Sequence, residues 1–220
     1  MVYLQCERSW GHTDLKNRII DTSLQLFEKH GFHGVSVNQI VQESGTSKGG
    51  FYHHFHSKDE LLFVIHDYFI SYVLNKATEA ISTSTHPTEK MQKMITSFVK
   101  VFDLYKPHIS VFYQESGYLK PLYARSIKEK REKYKTLLFT LIEEGVAAGE
   151  FRPELDRTII GMSILGMVNW SYKWYKREGE KSIEEIAEIY VDFILLGLLT
   201  PEAKQNPRYA RYFLSNKALT

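Results

Sequence analysis

Cysteine is nearly absent from this sequence: Cys6 stands alone among 220 residues. A disulfide within the chain is excluded, and so is a zinc site built on several thiolates. Such usage suits a reducing, cytoplasmic setting. Proline is scarce, with six in all, mostly where helices would meet. No stretch alternates apolar and polar residues for long, so no sheet is expected. No long apolar run exists either. The longest uncharged stretch, Thr158 to Tyr172, contains Asn169 and two glycines and is too short to span a bilayer. Met1 to His12 lacks the apolar core of a secretory signal. Charge of one sign is missing too: 28 Lys and Arg face 26 Asp and Glu. Composition therefore announces no polyanionic partner.

Catalytic patterns are equally missing. No nucleophile–base spacing, phosphate loop or metal-ligand spacing appears, so neither an enzyme nor a cofactor is expected. His53, His54 and His56 are spaced so that a helix would splay their rings, which disfavours a metal site. No Glu is followed by a His three residues later, as a di-iron helical bundle would require.

What is present is helix. At 43% hydrophobic residues the chain has the apolar content for a real core. The pattern predicts an all-α protein: an N-terminal three-helix domain over residues 13–60, a helical domain over 61–200, and a tail over 201–220. Leu15, Ile19, Leu26 and Phe27 share one face of a first helix, which Gly31 stops. Ser36 with Gln39, Ser57 with Glu60, and Ser182 with Glu185 have capping-box spacing. Further helices are expected near 88–106, 107–116, 121–148, 154–177 and 182–199.

Residues 36–62 carry the function. Two short helices flank a tight turn at Gly45, which is helix-turn-helix grammar. In that motif the second helix enters the major groove of DNA. Here that helix offers Thr46, Ser47, Lys48, Gly49, Gly50, Tyr52 and His53, with Phe51 and Phe55 as anchors behind. Each glycine costs a helix about 1 kcal/mol relative to alanine, a cost that close backbone approach to DNA would justify. Ser36 is either a helix cap or a phosphate contact.

Residues 15–62 resemble the DNA-binding domain of the TetR family of regulators. The resemblance is carried by Phe27, Gly31, Val37, Ile40, Gly45, Ser47, Gly49, Tyr52, Phe55, Lys58 and Leu61. It implies that Tyr52 touches DNA and Lys58 a phosphate, aided by the free N–H groups of the helix it opens. It also implies a homodimer on a pseudo-palindromic double-stranded operator, a repressor released by a small molecule, and a C-terminal ligand-binding and dimerisation domain. Residues 1–60 nevertheless lack a positive excess, with six Lys and Arg against seven Asp and Glu. That suits a rival reading, a helical binding protein without DNA activity.

For the effector, the aromatic-rich C-terminal half predicts an apolar ligand. Candidate contacts are Phe102, Tyr105, Phe112, Tyr113, Met162, Trp170 and Trp174. The run NWSYKWY at 169–175, followed by Gly179 and SIEEI at 182–186, resembles a subgroup of these regulators that senses acyl-CoA thioesters. Lys120, Arg125, Lys128 and Arg131 lie in a basic stretch, either a solvated helix face or a site for the CoA phosphates. The alternative is a neutral lipophilic compound, which needs no basic contacts. Ile159 to Tyr175 is apolar nearly all round, and a stripe from Ile183 to Gly197 faces it as a subunit seam.

Overall fold

The structure is a computed structural model, and it describes residues 15–104 and 106–217. Every extended element is a helix, as the missing alternation predicts; the β pairing among the described residues is an isolated bridge between Phe151 and Leu199. Residues 1–12, Cys6 among them, lie outside the described residues. The chain forms two compact units. The first contains residues 15–69 and 107–127, the second 70–104, 106 and 128–217.

The first unit opens with α1 (Leu15–His30), α2 (Val37–Glu43) and α3 (Lys48–His54). Ile19, Ile20, Leu24 and Phe27 of α1 are buried, at the spacing of one helical face. Ile40 of α2 and Phe51 of α3 join them, with Phe55, Leu61, Leu62 and Ile65 from α4 (Lys58–Ser82) and the residues before it. The same cluster takes in Val111 of α6 (Lys106–Gln114), so residues from mid-chain complete the N-terminal core. Gly31 and Gly45 have φ of 69° and 61°, a conformation that strains any side chain, which is why each ends its helix.

The capping boxes divide. Ser36 and Gln39 form a full box, as do Ser182 and Glu185. At Ser57 only half forms: the Glu60 N–H reaches Ser57 Oγ at 3.1 Å, but the Glu60 carboxylate turns to His56. It accepts from the His56 backbone N–H at 2.6 Å and pairs with its ring Nδ1 at 2.8 Å. Donors one residue upstream, on His56, outcompete the Ser57 N–H for that carboxylate.

Asp21 lies half-buried on α1, and lost hydration pushes its carboxyl from 3.8 up to about 6. A raised folded-state value means that charging this acid opposes folding above about pH 6, and that the penalty fades as pH falls toward 4. Asp21→Asn is expected to stabilise the protein near pH 7.5 by roughly 1 kcal/mol, solvent screening the rest. Near pH 4 the gain should vanish. Thermal melts at both pH values check this.

The second unit holds the rest of α4, α5 (Pro87–Leu104), α7 (Pro121–Ala147) from residue 128, α8 (Arg157–Asn169), the short α9 (Ser171–Trp174) and α10 (Ile183–Leu198). Met91, Met94, Ile95, Phe98 and Phe102 of α5 are buried, as are Ile186, Ala187, Val191, Ile194 and Leu195 of α10, which packs along α5. The expected helix over 154–177 is interrupted. The Asp156 carboxylate caps its true start through the N–H groups of Thr158 and Ile159. Near its end the Tyr190 hydroxyl donates to Met167 O at 3.0 Å, and buried Ser171 Oγ lies 3.0 Å from that hydroxyl. The tertiary donor thus sits where α8 gives way to α9, with Trp170 between them still in the right-handed helical region.

The segment 201–217 is structured. α11 (Pro201–Lys204), a 3-10 turn at Ala210–Tyr212 and α12 (Leu214–Lys217) follow, and Tyr209 and Phe213 are buried. Tyr209 shares the Glu150 carboxylate, which also accepts from Thr88 Oγ1 at 2.6 Å.

Candidate functional site

The exposed side of α3 follows from its two anchors. Phe51 and Phe55, four residues apart, are fully buried, so Lys48, Gly49, Tyr52 and His53 turn outward. Ser47 starts the helix, its Oγ accepting from Gly50 N at 3.0 Å, and is itself exposed. Tyr52 is 52% exposed although its ring edge meets Phe51 at 5.3 Å. Among the described residues this is a helix with a large aromatic, a lysine and a histidine on one outer face. Thr46 is half-buried in the turn.

The two glycines differ. A Cβ on Gly50 would lie 2.5 Å from Thr46 Oγ1 and 3.2 Å from Leu15 Cδ2, so a side chain there would force Thr46 and Leu15 to shift. A Cβ on Gly49 would meet only Ser47 Oγ at 3.7 Å. Among the described residues nothing requires glycine at 49; close approach by an outside partner is a reason for it.

Ser36 is exposed but committed to its cap, accepting from Gln39 N at 3.2 Å. Lys58 turns inward. Its ammonium donates to Phe32 O at 2.7 Å and Val35 O at 2.6 Å and rides 4.2 Å from the centre of the Phe32 ring. Burial pulls its pKa below the usual lysine range, against the raising effect of Asp59. Two of its three N–H donors are therefore occupied without DNA.

The expected effector residues are spread over both units. Phe112, buried, packs in the first unit on Phe69 at 4.8 Å and on the buried His66 at 5.2 Å; Tyr113 sits edge-on to it. Lys120, also there, pairs with Asp59 at 3.2 Å, and Arg125 is exposed. In the second unit Phe102 is buried within the α5 core, while Lys128 and Arg131 are exposed. Met162, Trp170 and Trp174 lie on the surface rather than in the core. Tyr105 lies outside the described residues.

Trp174 does line a cavity of about 500 Å³, together with Tyr175, Ile186, Ile189 and Tyr190. Lys176, Glu180 and Lys181 line it as well. The loop that bounds it is pinned by Asp103, which accepts from the Tyr175 hydroxyl at 2.7 Å and from Arg177 Nε at 2.9 Å. The Arg177 hydrogen bond holds the Asp103 carboxyl below its usual range, whereas burial and Asp103 push the Tyr175 hydroxyl up to about 12. The run likened to acyl-CoA sensors takes in Trp174, Tyr175, Gly179 and Ile186 of this wall, whereas Ile189 and Tyr190 join it only where the chain leaves α9 and returns along α10.

The same unit carries an exposed apolar face. Ile159, Met162 and Trp170 of α8 and its end lie bare, as do Ile189, Phe193 and Leu196 of α10. Positions 189, 193 and 196 make a stripe at helical spacing. Of the stripe expected from the sequence as a seam, Ile183, Ile186, Ala187 and Ile194 are buried within the subunit, and Phe193 is exposed.

Among the described residues no group of three or more His, Cys, Asp or Glu is placed to hold a metal ion. None of their helices is long and apolar enough to cross a membrane.

A helix-turn-helix with a polar, outward recognition helix, together with a helical bundle that holds a ligand-sized cavity, defines a ligand-responsive DNA-binding regulator. The model of bacterial regulatory proteins of the tetR family matches residues 19–65, and that of the tetracyclin repressor-like C-terminal domain matches residues 84–198. The chain belongs to this family. It is similar to the transcriptional repressor KstR2 of Mycolicibacterium smegmatis, 24% identical over 184 residues that cover 83% of this chain and 90% of that protein. PfmR from Thermus thermophilus has a similar structure, with a TM-score of 0.77 and 29% identity over 83% of this chain and all of that one. AibR, solved with isovaleryl coenzyme A and operator DNA, gives a TM-score of 0.73 at 25% identity over 82% of this chain and 97% of its own.

Proposed function

We propose that this regulator is a dimeric repressor that leaves its operator when an acyl-CoA thioester binds. The outward face of α3 carries the DNA half of this reading. Ser47, Lys48, Gly49, Tyr52 and His53 are exposed together on the helix that the motif directs into the major groove. Thr46 and Gly50 shape the turn beneath them, and Ser36 and Lys58 hold the neighbouring helix starts. Residues 13–60 form the DNA-binding domain in this reading, 61–200 the sensing and dimerisation domain, and 201–220 the tail. The bare stripe of Ile189, Phe193 and Leu196, with Ile159 and Met162, meets its own copy and brings two α3 helices to two half-sites.

The effector half is supported by the cavity beside Trp174. Its volume of about 500 Å³ falls within the range of small-molecule sites, and its wall is aromatic and aliphatic, as an acyl body requires. Lys176 and Lys181 line it and suit an anionic group better than a neutral one. The structural likeness to AibR, solved with an acyl coenzyme A, points the same way. Lys120 is the weakest of the expected phosphate contacts, since Asp59 already engages it.

A neutral lipophilic effector is the second reading, favoured by Glu180 in the same wall. Titrating a protein–duplex complex with acyl-CoAs of several chain lengths, free acids and CoA alone separates the two. Release by thioesters at concentrations at least tenfold below those of the free acids is expected. Equal release by free acid and thioester contradicts the acyl-CoA reading. A ligand that bound the DNA-bound and free forms equally would release nothing.

A further inference from the structure

The turn between α1 and α2 is held through one residue. Phe32 is buried, and its backbone N–H donates to Glu115 Oε2 at 3.2 Å across 83 residues of sequence. Its carbonyl accepts from Lys58 Nζ at 2.7 Å, and the same ammonium takes the Val35 carbonyl at 2.6 Å. The Phe32 ring lies under that ammonium at 4.2 Å, meets Phe27 edge-on at 5.4 Å and stacks near Tyr118 at 6.2 Å. Glu115 is itself buried, just past the end of α6, and its Oε1 faces Gly31, where a Cβ would sit 3.7 Å away. The buried Glu115 side chain and the partly buried Lys58 ammonium answer backbone groups that the left-handed turn at Gly31 leaves outside any helix.

We propose that Lys58 and Glu115 are positioning residues for DNA binding: each grips the α1–α2 turn through the backbone of Phe32, and together they fix the seat of α2 and α3. α2 starts one residue beyond its cap Ser36, which directly follows Val35. Phe32, Val35, Ile40, Phe51 and Phe55 share one buried cluster, so the turn, the first helix of the motif and the recognition helix move as one packed piece. A shift of the turn therefore displaces Tyr52 and Gly49 from the bases. The inference rests on DNA binding by α3, and it assigns Lys58 to the protein's own backbone rather than to a phosphate.

Three variants test it: Glu115→Leu, which removes the acceptor at similar volume; Glu115→Gln, which keeps an acceptor oxygen; and Lys58→Met, which keeps the stem over Phe32. The probe is a duplex enriched by the wild-type protein from a randomised pool. Glu115→Leu and Lys58→Met are each expected to weaken duplex binding about tenfold, the loss that follows an orphaned buried backbone group. Both should leave the salt slope unchanged, and Glu115→Gln should bind like wild type. Without DNA, exchange of the Phe32 amide hydrogen should speed up in Glu115→Leu and not in Glu115→Gln. Because Gln keeps the core intact, it decides the matter even if the Leu variant fails to fold: slow Phe32 exchange and full affinity support the grip. A Lys58→Met salt slope shallower by about one unit would mark a phosphate contact and overturn the role of Lys58. Equal loss in the Gln and Leu variants, or none in Leu, would overturn that of Glu115. If the wild type enriches no duplex, the DNA reading fails on its own, and the exchange comparison still decides the grip.

Discussion

Replacing Phe193 by glutamate is expected to yield a folded monomer that has lost specific DNA binding. Phe193 is 64% exposed, so the fold gives up little when it changes. In a self-paired face the same ring is buried twice, once in each copy, and a carboxylate there is desolvated without a partner. A dimer reads two half-sites at once, and a monomer reads one. The loss in affinity should exceed a hundredfold at protein concentrations near the dimer's working range, since linking two binding events multiplies affinity by about 10²–10⁴. Sedimentation at micromolar concentration reads the assembly, and a thermal melt shows that the subunit is intact. Ile194→Lys makes the control. Ile194 is 5% exposed inside the subunit, so that variant should unfold rather than dissociate. A dimeric Phe193→Glu protein would refute the proposed seam.

The second large effect concerns α3. Tyr52→Ala is expected to weaken binding to the selected duplex by about 1–3 kcal/mol, the range of a good base contact. The two glycines extend the test, because the structure gives them opposite reasons. Gly49→Ala places a methyl in ordinary contact with Ser47 Oγ, at 3.7 Å, and should stabilise the helix by up to about 1 kcal/mol. If the α3 backbone lies close to DNA, the same methyl reduces affinity. Gly50→Ala forces its Cβ against Thr46 and Leu15, so its cost should appear in the melt of the protein alone. Stability and affinity thus move in opposite directions at 49 and together at 50. Thermal melts and duplex titrations of the two variants check this.

The helix-turn-helix was legible in the sequence because its rules are local. Gly31 and Gly45 stop helices by backbone conformation, Ser36 with Gln39 caps one, and the spacing of Phe51 and Phe55 turns the rest of α3 outward. What could not be read depended on distant partners. Ile194 and Phe193 are neighbours in a uniformly apolar helix; only the packing of α10 on α5 decides which is core and which is seam. The interruption after Asn169 lies beside the hydroxyl of Tyr190, a partner beyond the reach of any local pattern. Lys58 looks exposed by sequence, since the carbonyls that capture it lie 26 and 23 residues away. Glu115 gave no signal at all, because a buried carboxylate in an amphipathic helix end resembles a solvated one until its partner is known. The effector residues were chosen by composition, and composition cannot sort Phe102, deep in a core, from Trp174, at the wall of a cavity.

The central claim is that α3 reads DNA as one half of a symmetric pair. Selection of bound duplexes from a random pool, repeated with Tyr52→Ala, tests it most directly. The account predicts enrichment of a pseudo-palindrome whose half-sites are centred about one helical turn, or a whole number of turns, apart, and its loss in the variant. No enriched sequence, or one that the Tyr52→Ala protein binds equally well, would contradict it.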